Sequence, residues 1–325
     1  MSSIIQLLSI LSDGKFHSGE ELGRHLGLSR SAIWKKIGKL EKYGLVVYSI
    51  KGKGYRLSKP VDLLNREKIL SLLDEDAKSI VKELTVLEEV DSTNQYLLNQ
   101  IDNTGFHAHV VLAEYQTLGR GRRGHTWISP YASGITMSLG WHFETPPELL
   151  TGISLGAGVA IMRTLHRLGI DDAGLKWPND IIWRRRKLGG SLVELKAEST
   201  GPCNMVIGIG INYSFPSNIV HSIDQPWVDM TSIQPEKTSR NLAIAILLSE
   251  LFRVLLQVED EGTGNIINEW RKHDIMKDKQ ATLLLPASNI QGMVRGIDDS
   301  GALIMSINGK IKKFNSGEIS LRIRH

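Results

Sequence analysis

The chain is almost without cysteine. Its single one, Cys203, excludes an internal disulfide and any multi-cysteine metal site. No apolar run is expected to reach the ~18–20 residues of a membrane span. Met1 to Leu11 carry no cationic stretch, so no secretion signal is expected either. Together these absences predict a cytoplasmic protein. Net charge is also small, +4 over 325 residues, a length that suits two or three domains. That excess is unevenly placed. Residues 1–60 hold eleven Lys/Arg against four Asp/Glu, whereas the remainder holds 28 against 31. A polyanionic partner is therefore expected for the amino-terminal part alone.

What is present there is helical. Ile4, Leu7, Leu8 and Leu11 repeat at helical spacing before Asp13-Gly14. Ser18 is placed to cap a second helix, with Glu20 and Glu21 in its first turn and Leu22 and Leu26 facing inward. After Gly27-Leu28-Ser29, a third helix buries Ile33, Ile37 and Leu40 and shows Arg30, Ser31, Trp34, Lys35, Lys36 and Lys39. Helix, turn and basic helix over Gly19 to Gly38 predict a DNA-reading helix-turn-helix. Residues 45–50 and 55–57 read as strands around Lys51-Gly52-Lys53-Gly54, a wing with a cationic tip at Lys51 and Lys53. Pro60 to Asn65 reads as a linker. A small solvated domain would share the charge, but not this order of charge, turn and wing.

From about residue 66 to 270 the pattern is mixed strand and helix, and Gly152 to Leu168 is a small-residue apolar helix suited to lie under a sheet. Four motifs stand in it. Asp91-Ser92-Thr93-Asn94 is a helix cap whose hydroxyls and N–H groups could hold a polar ring. Glu114-Tyr115-Gln116 leads into Gly119-Arg120-Gly121-Arg122-Arg123-Gly124, which Trp127 and Ser129-Pro130 close. Glycine permits positive φ and close approach, and arginine matches carboxylate and phosphate oxygens. The loop is thus expected to fold over an anion, although a basic surface turn has the same composition. Lys176-Trp177-Pro178-Asn179-Asp180 presents a carboxylate on a rigid turn, a hard oxygen suited to Mg²⁺ beside a phosphate. Lys187 follows next to Gly189-Gly190, while Arg184 to Arg186 read as a solvated hairpin turn. In Val206 to Asn212, Gly208 and Gly210 share one face, where something must pack closely. The spacing lacks the third glycine of a dinucleotide fingerprint.

In this order the motifs resemble those of the bacterial bifunctional biotin–protein ligases that also repress the biotin operon. The resemblance extends over essentially the whole chain, winged helix and carboxyl-terminal segment included. It implies a two-step reaction, with biotin and MgATP giving biotinyl-adenylate and pyrophosphate. A lysine of the biotin carboxyl carrier protein of acetyl-CoA carboxylase then takes the biotinyl group. By this resemblance Ser92, Thr93, Asn94 and Gln116 hold the biotin head group, and Arg120, Gly121 and Arg122 line the loop over it. Arg122 and Lys187 stabilise the carboxylate and α-phosphate as catalytic groups. Asp180 and Asn212 serve the metal and phosphate region, and Trp227 packs near adenine. Ser191 departs from the family, which has an apolar residue there.

Residues 271–325 alternate apolar and polar in five short segments, separated by Pro286, Asp298 to Gly301, Asn308-Gly309 and Ser316-Gly317. They read as a small barrel, and the resemblance implies an SH3-like one. The expected whole is an α+β multidomain chain: a winged helix-turn-helix (1–64), a mixed α/β catalytic domain (65–270) and an SH3-like β-barrel (271–325). Its expected partners are ATP, biotin and Mg²⁺, the carrier protein, operator DNA and, with adenylate bound, a second copy of itself, with no membrane. A ligase without repression, a non-enzymatic adenylate sensor and a lipoate–protein ligase are the alternatives.

Overall fold

The computed structural model describes residues 2–197, 201–216, 223, 225–234, 238–285, 289–315 and 320–323. Its amino-terminal unit is built from α1 (Ser3–Leu11), α2 (Gly19–Leu26), α3 (Arg30–Lys42) and the hairpin β1 (Val47–Ile50) and β2 (Gly54–Leu57). Ser18 and Glu21 cap α2 reciprocally, and Gly27 ends it in the left-handed region. Ser29 caps α3. Ile33, Ile37 and Leu40 close a core with Ile4, Leu7, Leu8, Leu11 and Leu22. Arg30, Ser31, Trp34 and Lys35 are exposed on α3, as are Lys51 and Lys53 on the wing. Lys36 departs from the expected DNA face, because its ammonium turns back to donate to Ser3 Oγ on α1.

This unit does not close on its own. Tyr131 and Ala132 of the next domain complete its core, and Tyr43 at the end of α3 packs on the rings of Tyr115 and Tyr131, with centroids 4.8 and 5.1 Å away. The expected linker is likewise docked. Asp62 Oδ2 accepts from Arg240 N at 2.6 Å, and Asp62 Oδ1 from Asn241 Nδ2 at 3.1 Å. Leu64 N donates to Glu114 Oε1 at 2.6 Å. Segment 62–65 is thus held against the central domain.

The central domain runs α4 (Arg66–Leu72), α5 (Glu75–Ile80), β3 (Glu83–Val90), α6 (Thr93–Leu98), β4 (His109–Gln116), β5 (Gly134–Phe143) and α7 (Ile153–Arg167). It continues through β6 (Ala173–Lys176), β7 (Asp180–Trp183), β8 (Arg186–Ala197), β9 (Cys203–Asn212), α8 (Met230–Ile233), α9 (Arg240–Glu261) and α10 (Gly264–Lys272). Its seven strands order β3-β4-β5-β9-β8-β7-β6, with β3–β4 parallel and the remaining pairs antiparallel. Ile207, Ile209 and Ile211 alternate onto the face shared with the buried residues of α7 and α9. Their glycine neighbours turn to the opposite face. Helix α9 corrects the expectation that no apolar run reaches a membrane span. By length and composition it is long enough, but its apolar stretch is mostly buried in this core, which accounts for its hydropathy.

The carboxyl-terminal sheet holds β10 (Gln280–Leu284), β11 (Asn289–Ile297), β12 (Leu303–Ile307), β13 (Lys310–Phe314) and β14 (Ser320–Ile323), ordered β13-β12-β11-β10-β14. Asn308 and Gly309, both at positive φ, make the tight turn between β12 and β13. Among the described residues β13 and β14 do not pair, so the sheet is open rather than the expected closed barrel. Pro286, Ser316 and Gly317 lie outside the described residues. Trp177 Nε1 donates to Gly301 O at 3.0 Å and ties this sheet to the central domain.

One titratable cluster staples the winged unit. His17 Nδ1 meets Glu21 Oε1 at 2.9 Å and Nε2 meets Asp13 at 3.0 Å. Burial pulls the imidazole pKa down, but the two carboxylates outweigh it and hold it above the ordinary value. A raised histidine contributes stability below its unfolded pKa of about 6.5 and loses it as pH rises through the folded value. His17→Gln should therefore lower the melting temperature more at pH 6 than at pH 9. A deficit independent of pH would contradict this account.

Candidate active site

The glycine face of β9 is the floor of a cavity of about 530 Å³. The strand pairing sets Gly190 opposite Gly210, and Leu192 and Ser138 opposite Gly208. A Cβ on Gly208 would lie 2.2 Å from Asn94 Oδ1, and one on Gly210 would lie 2.5 Å from the Trp127 ring. The two glycines make room for an amide and an indole. A second cavity of about 430 Å³, between the winged unit and the central domain, gathers none of the motif residues.

One end of the large cavity is neutral and hydrogen-bonded. Ser92 caps α6, and Gln116 Oε1 accepts from Thr93 N at 2.8 Å and Thr93 Oγ1 at 3.1 Å. Ser138 Oγ donates within the same cluster, 2.7 Å from Thr93 Oγ1 and 2.5 Å from Asn94 Oδ1. Asn94 Nδ2 donates to Glu194 Oε2 at 2.8 Å and to Leu192 O at 3.2 Å. The glycine–arginine loop closes over this end. Trp127 N donates to Gly119 O, and Gly121 N to His125 O. Positive φ falls on Arg123 (57°) and Gly124 (72°). Gly119 is needed instead for close approach, since a Cβ there would lie 2.4 Å from Trp127 O. Arg120 reaches Glu194 with Nη2 at 2.7 and 2.8 Å, and Gln95 Oε1 with Nη1 at 3.1 Å.

The other end is charged. Asp180 Oδ2 accepts from Lys176 Nζ at 2.8 Å, and Oδ1 lies 2.6 Å from Lys187 Nζ. Burial pushes the Asp180 carboxyl up, but Lys187 and Lys176 outweigh it and hold the pKa at about 2. Arg122 is half-buried at the same cavity. Burial lowers its pKa, while the Asp180 charge opposes that shift. Lys187 is fixed through its backbone: its N donates to Pro226 O at 2.9 Å, and its O accepts from Val228 N at 3.0 Å.

Asp180 does not fit the metal-ligand role expected of it. Both oxygens are taken by ammonium groups, and no group of three His, Cys, Asp or Glu able to hold a metal occurs among the described residues. Mg²⁺ has no protein-built cage among the described residues.

Residues 86–212 match the Biotin/lipoate A/B protein ligase family, residues 3–56 an HTH domain, and residues 278–322 the Biotin protein ligase C terminal domain. The chain is 39% identical over 318 residues to the bifunctional ligase/repressor BirA of Escherichia coli K12, covering 98% of this chain and 97% of that one. This chain belongs to the bifunctional biotin ligase/repressor family. The Bacillus subtilis BirA is 28% identical over 320 residues, with 98% and 97% covered. A biotin–[acetyl-CoA-carboxylase] ligase of Mycobacterium tuberculosis is 28% identical over 244 residues, covering 73% of this chain and 88% of that one. The fold is that of the Aquifex aeolicus biotin protein ligase in complex with biotin and ATP. That match has a TM-score of 0.64 at 24% identity, over 75% of this chain and all of that one.

In this family member Ser92, Thr93, Asn94, Gln116, Arg120, Gly121, Arg122, Asp180 and Lys187 all line the cavity. Two expected residues do not line it. Asn212 is buried, and its Nδ2 is spent on Lys187 O (3.2 Å) and Val228 O (3.0 Å), so it holds the Lys187 strand in place. The Trp227 ring packs on Phe215, with centroids 5.2 Å apart. Arg185, assigned to a solvated turn, borders the cavity. Ser138 and Glu194 were not singled out, because only strand register brings them to the motif residues. Ser191 lies opposite Ile209 and is buried, its hydroxyl unpartnered among the described residues.

Gly210→Ala must displace the Trp127 ring and should cost about 1–3 kcal/mol. Gly201→Ala, with nothing within 4 Å of the added carbon, should leave the denaturant midpoint unchanged. Equal midpoints for the two variants would refute the close-packing role of Gly210.

Proposed function

We propose that this chain joins biotin to ATP as biotinyl-adenylate and transfers the biotinyl group to a lysine of a biotin carboxyl carrier protein. The observation that carries the reading is the polarity of one cavity. A neutral end can read an uncharged ring, and a cationic end can receive two anions. Gln116 Oε1 is committed to Thr93, which leaves Nε2 as a donor for a ureido carbonyl. A dithiolane ring offers no such acceptor, and this favours biotin over lipoate. The relatives' names, as ligases and repressors, support the same reading.

Adenylation brings a carboxylate against the α-phosphate, so two negative groups must be held together and oriented. Arg122, Lys176 and Lys187 gather around Asp180 at this end. Their charge offsets the repulsion, and Asp180 keeps the two ammoniums in place until oxygens of the substrates compete for them. Arg122 and Lys187 are the catalytic groups of this proposal. Mg²⁺ enters as part of the MgATP substrate. ATP, carrier and operator meet in the cytoplasm, where the reading places the protein.

The second activity is repression, with biotinyl-adenylate as corepressor and a homodimer as the DNA-binding form. The exposed Arg30, Ser31, Trp34 and Lys35 of α3 and the exposed wing lysines support it. The boundaries 1–64, 65–270 and 271–325 and an SH3-like reading of β10–β14 belong to the same proposal. Five antiparallel strands and a bulge between Val294 and Gly296 support the latter.

The test is labelling. With MgATP, labelled biotin and a carrier domain, label should appear on the carrier lysine. Lys187→Ala should slow it about 10²–10³-fold. Transfer of lipoate instead, or an unimpaired Lys187→Ala variant, would sink the reading. In gel shifts the operator should be retained tightly only when biotin and ATP are both present. Retention indifferent to both would break the corepressor link.

A further inference from the structure

The side chains at the neutral end form one continuous chain that begins and ends in the glycine–arginine loop region. It runs from Gln116 through Thr93, Ser138, Asn94 and Glu194 to Arg120. Every member but one can be read as donor or acceptor in either sense, or belongs to a motif already assigned. Glu194 is the exception. As an ionised carboxylate it only accepts, and it lies where two donors converge: Asn94 Nδ2 at 2.8 Å and Arg120 Nη2 at 2.7 Å, both on Oε2.

We infer that Glu194 is a positioning residue that fixes the direction of the Asn94 amide, and through it the preference of the cavity for a ring N–H. An amide can face either way round, and its neighbours decide. Here Nδ2 faces two pure acceptors, Glu194 Oε2 and Leu192 O, so both of its hydrogens are used. Oδ1 is left over Gly208, where no side chain intrudes, and it accepts from Ser138 Oγ. An amide oxygen can accept twice, and Asn94 is among the residues that line the cavity, so Oδ1 can take a second donor there. A wall that offers only an acceptor at that point takes a hydrogen-bond donor and penalises an oxygen. Opposite polarity comes from Gln116, whose Nε2 can donate to a carbonyl. A ureido ring carries both groups. The inference rests on the biotin reading above and adds the residue that sets its polarity.

Glu194 is also partly exposed, with its side chain 28% accessible, so its replacement does not empty a core site. Glu194→Met keeps the length and removes the acceptor. Glu194→Gln keeps one neutral acceptor for Asn94 but loses the charge that holds Arg120. The assay is steady-state carrier labelling with biotin and with the isosteric cyclic carbamates, in which one ureido N–H is replaced by a ring oxygen. Glu194→Met should raise KM for biotin about tenfold with kcat nearly unchanged, leave KM for ATP unchanged, and narrow the discrimination between biotin and carbamate. Glu194→Gln should restore most of the KM and the discrimination. If both variants lose KM equally, the carboxylate acts through Arg120, and the inference is overturned. It is also overturned if KM for biotin and ATP rise together, or if discrimination stays at the wild-type level in Glu194→Met. Failure of the wild-type chain to use biotin at all would instead remove the functional reading on which this rests.

Discussion

The structure depends on one buried ion pair. Arg240, the first residue of α9, is wholly buried, and its Nη1 lies 2.5 Å from Glu114 Oε2. A charge in that position is tolerable only if its hydrogen-bonding capacity is largely met. Distant segments meet it at two of the three nitrogens: Arg240 Nε donates to Gly134 O at 2.8 Å and Nη1 to Asp62 O at 3.2 Å, whereas Nη2 is without a partner among the described residues. Glu114 in turn accepts from Leu64 N. Four stretches far apart in sequence are therefore committed to one geometry: the segment after the winged unit, β4, the start of β5 and the start of α9. Removing either partner would leave the other charged and unpaired, a cost of about 3–5 kcal/mol.

The consequence for the site is one of register. On β4, Glu114 anchors the linker segment, Tyr115 packs on Tyr43 at the end of α3, and Gln116 holds Thr93 in the cavity. Three consecutive residues thus tie the amino-terminal unit and the cavity to a single strand. Alternation lets one element serve both purposes, because successive side chains leave opposite faces. Strand β9 repeats the device, with isoleucines packing the helices and glycines clearing space for Asn94 and Trp127.

Much of this was legible from local pattern. The winged unit follows from helical spacing, serine caps and a glycine turn, all of which act within a few residues. The face shared by Gly208 and Gly210 was equally clear, although not what packs there. Long-range terms were not legible. Ser138 and Glu194 carry no motif, and only the pairing of β5 and β8 with β9 brings them to Asn94. Helix α9 is apolar over a span's length, and only tertiary packing shows that this stretch is mostly buried in the core. Asn212 and Trp227 were placed by motif. The structure uses Asn212 to hold the Lys187 strand and seats the Trp227 ring on Phe215. Asp180 shows the same limit, since a sequence cannot tell that two lysines already occupy its oxygens.

That occupancy shapes how the charged end can behave. Cations brought this close would repel one another in a half-buried site and splay their side chains. The Asp180 carboxylate removes that problem by standing between Lys176 and Lys187, and at a pKa of about 2 it stays ionised across any physiological pH. The charge of this end therefore does not switch with pH through Asp180. Anion binding becomes an exchange rather than a simple attraction: an arriving oxygen gains an ammonium only as Asp180 gives it up. Net attraction is smaller than a bare cluster would offer, and the cations are already placed, so little ordering remains to be done when the oxygens arrive. An end built this way holds weakly any anion that meets one cation. It holds firmly one that spans Arg122 and both lysines, as a carboxylate beside a phosphate would.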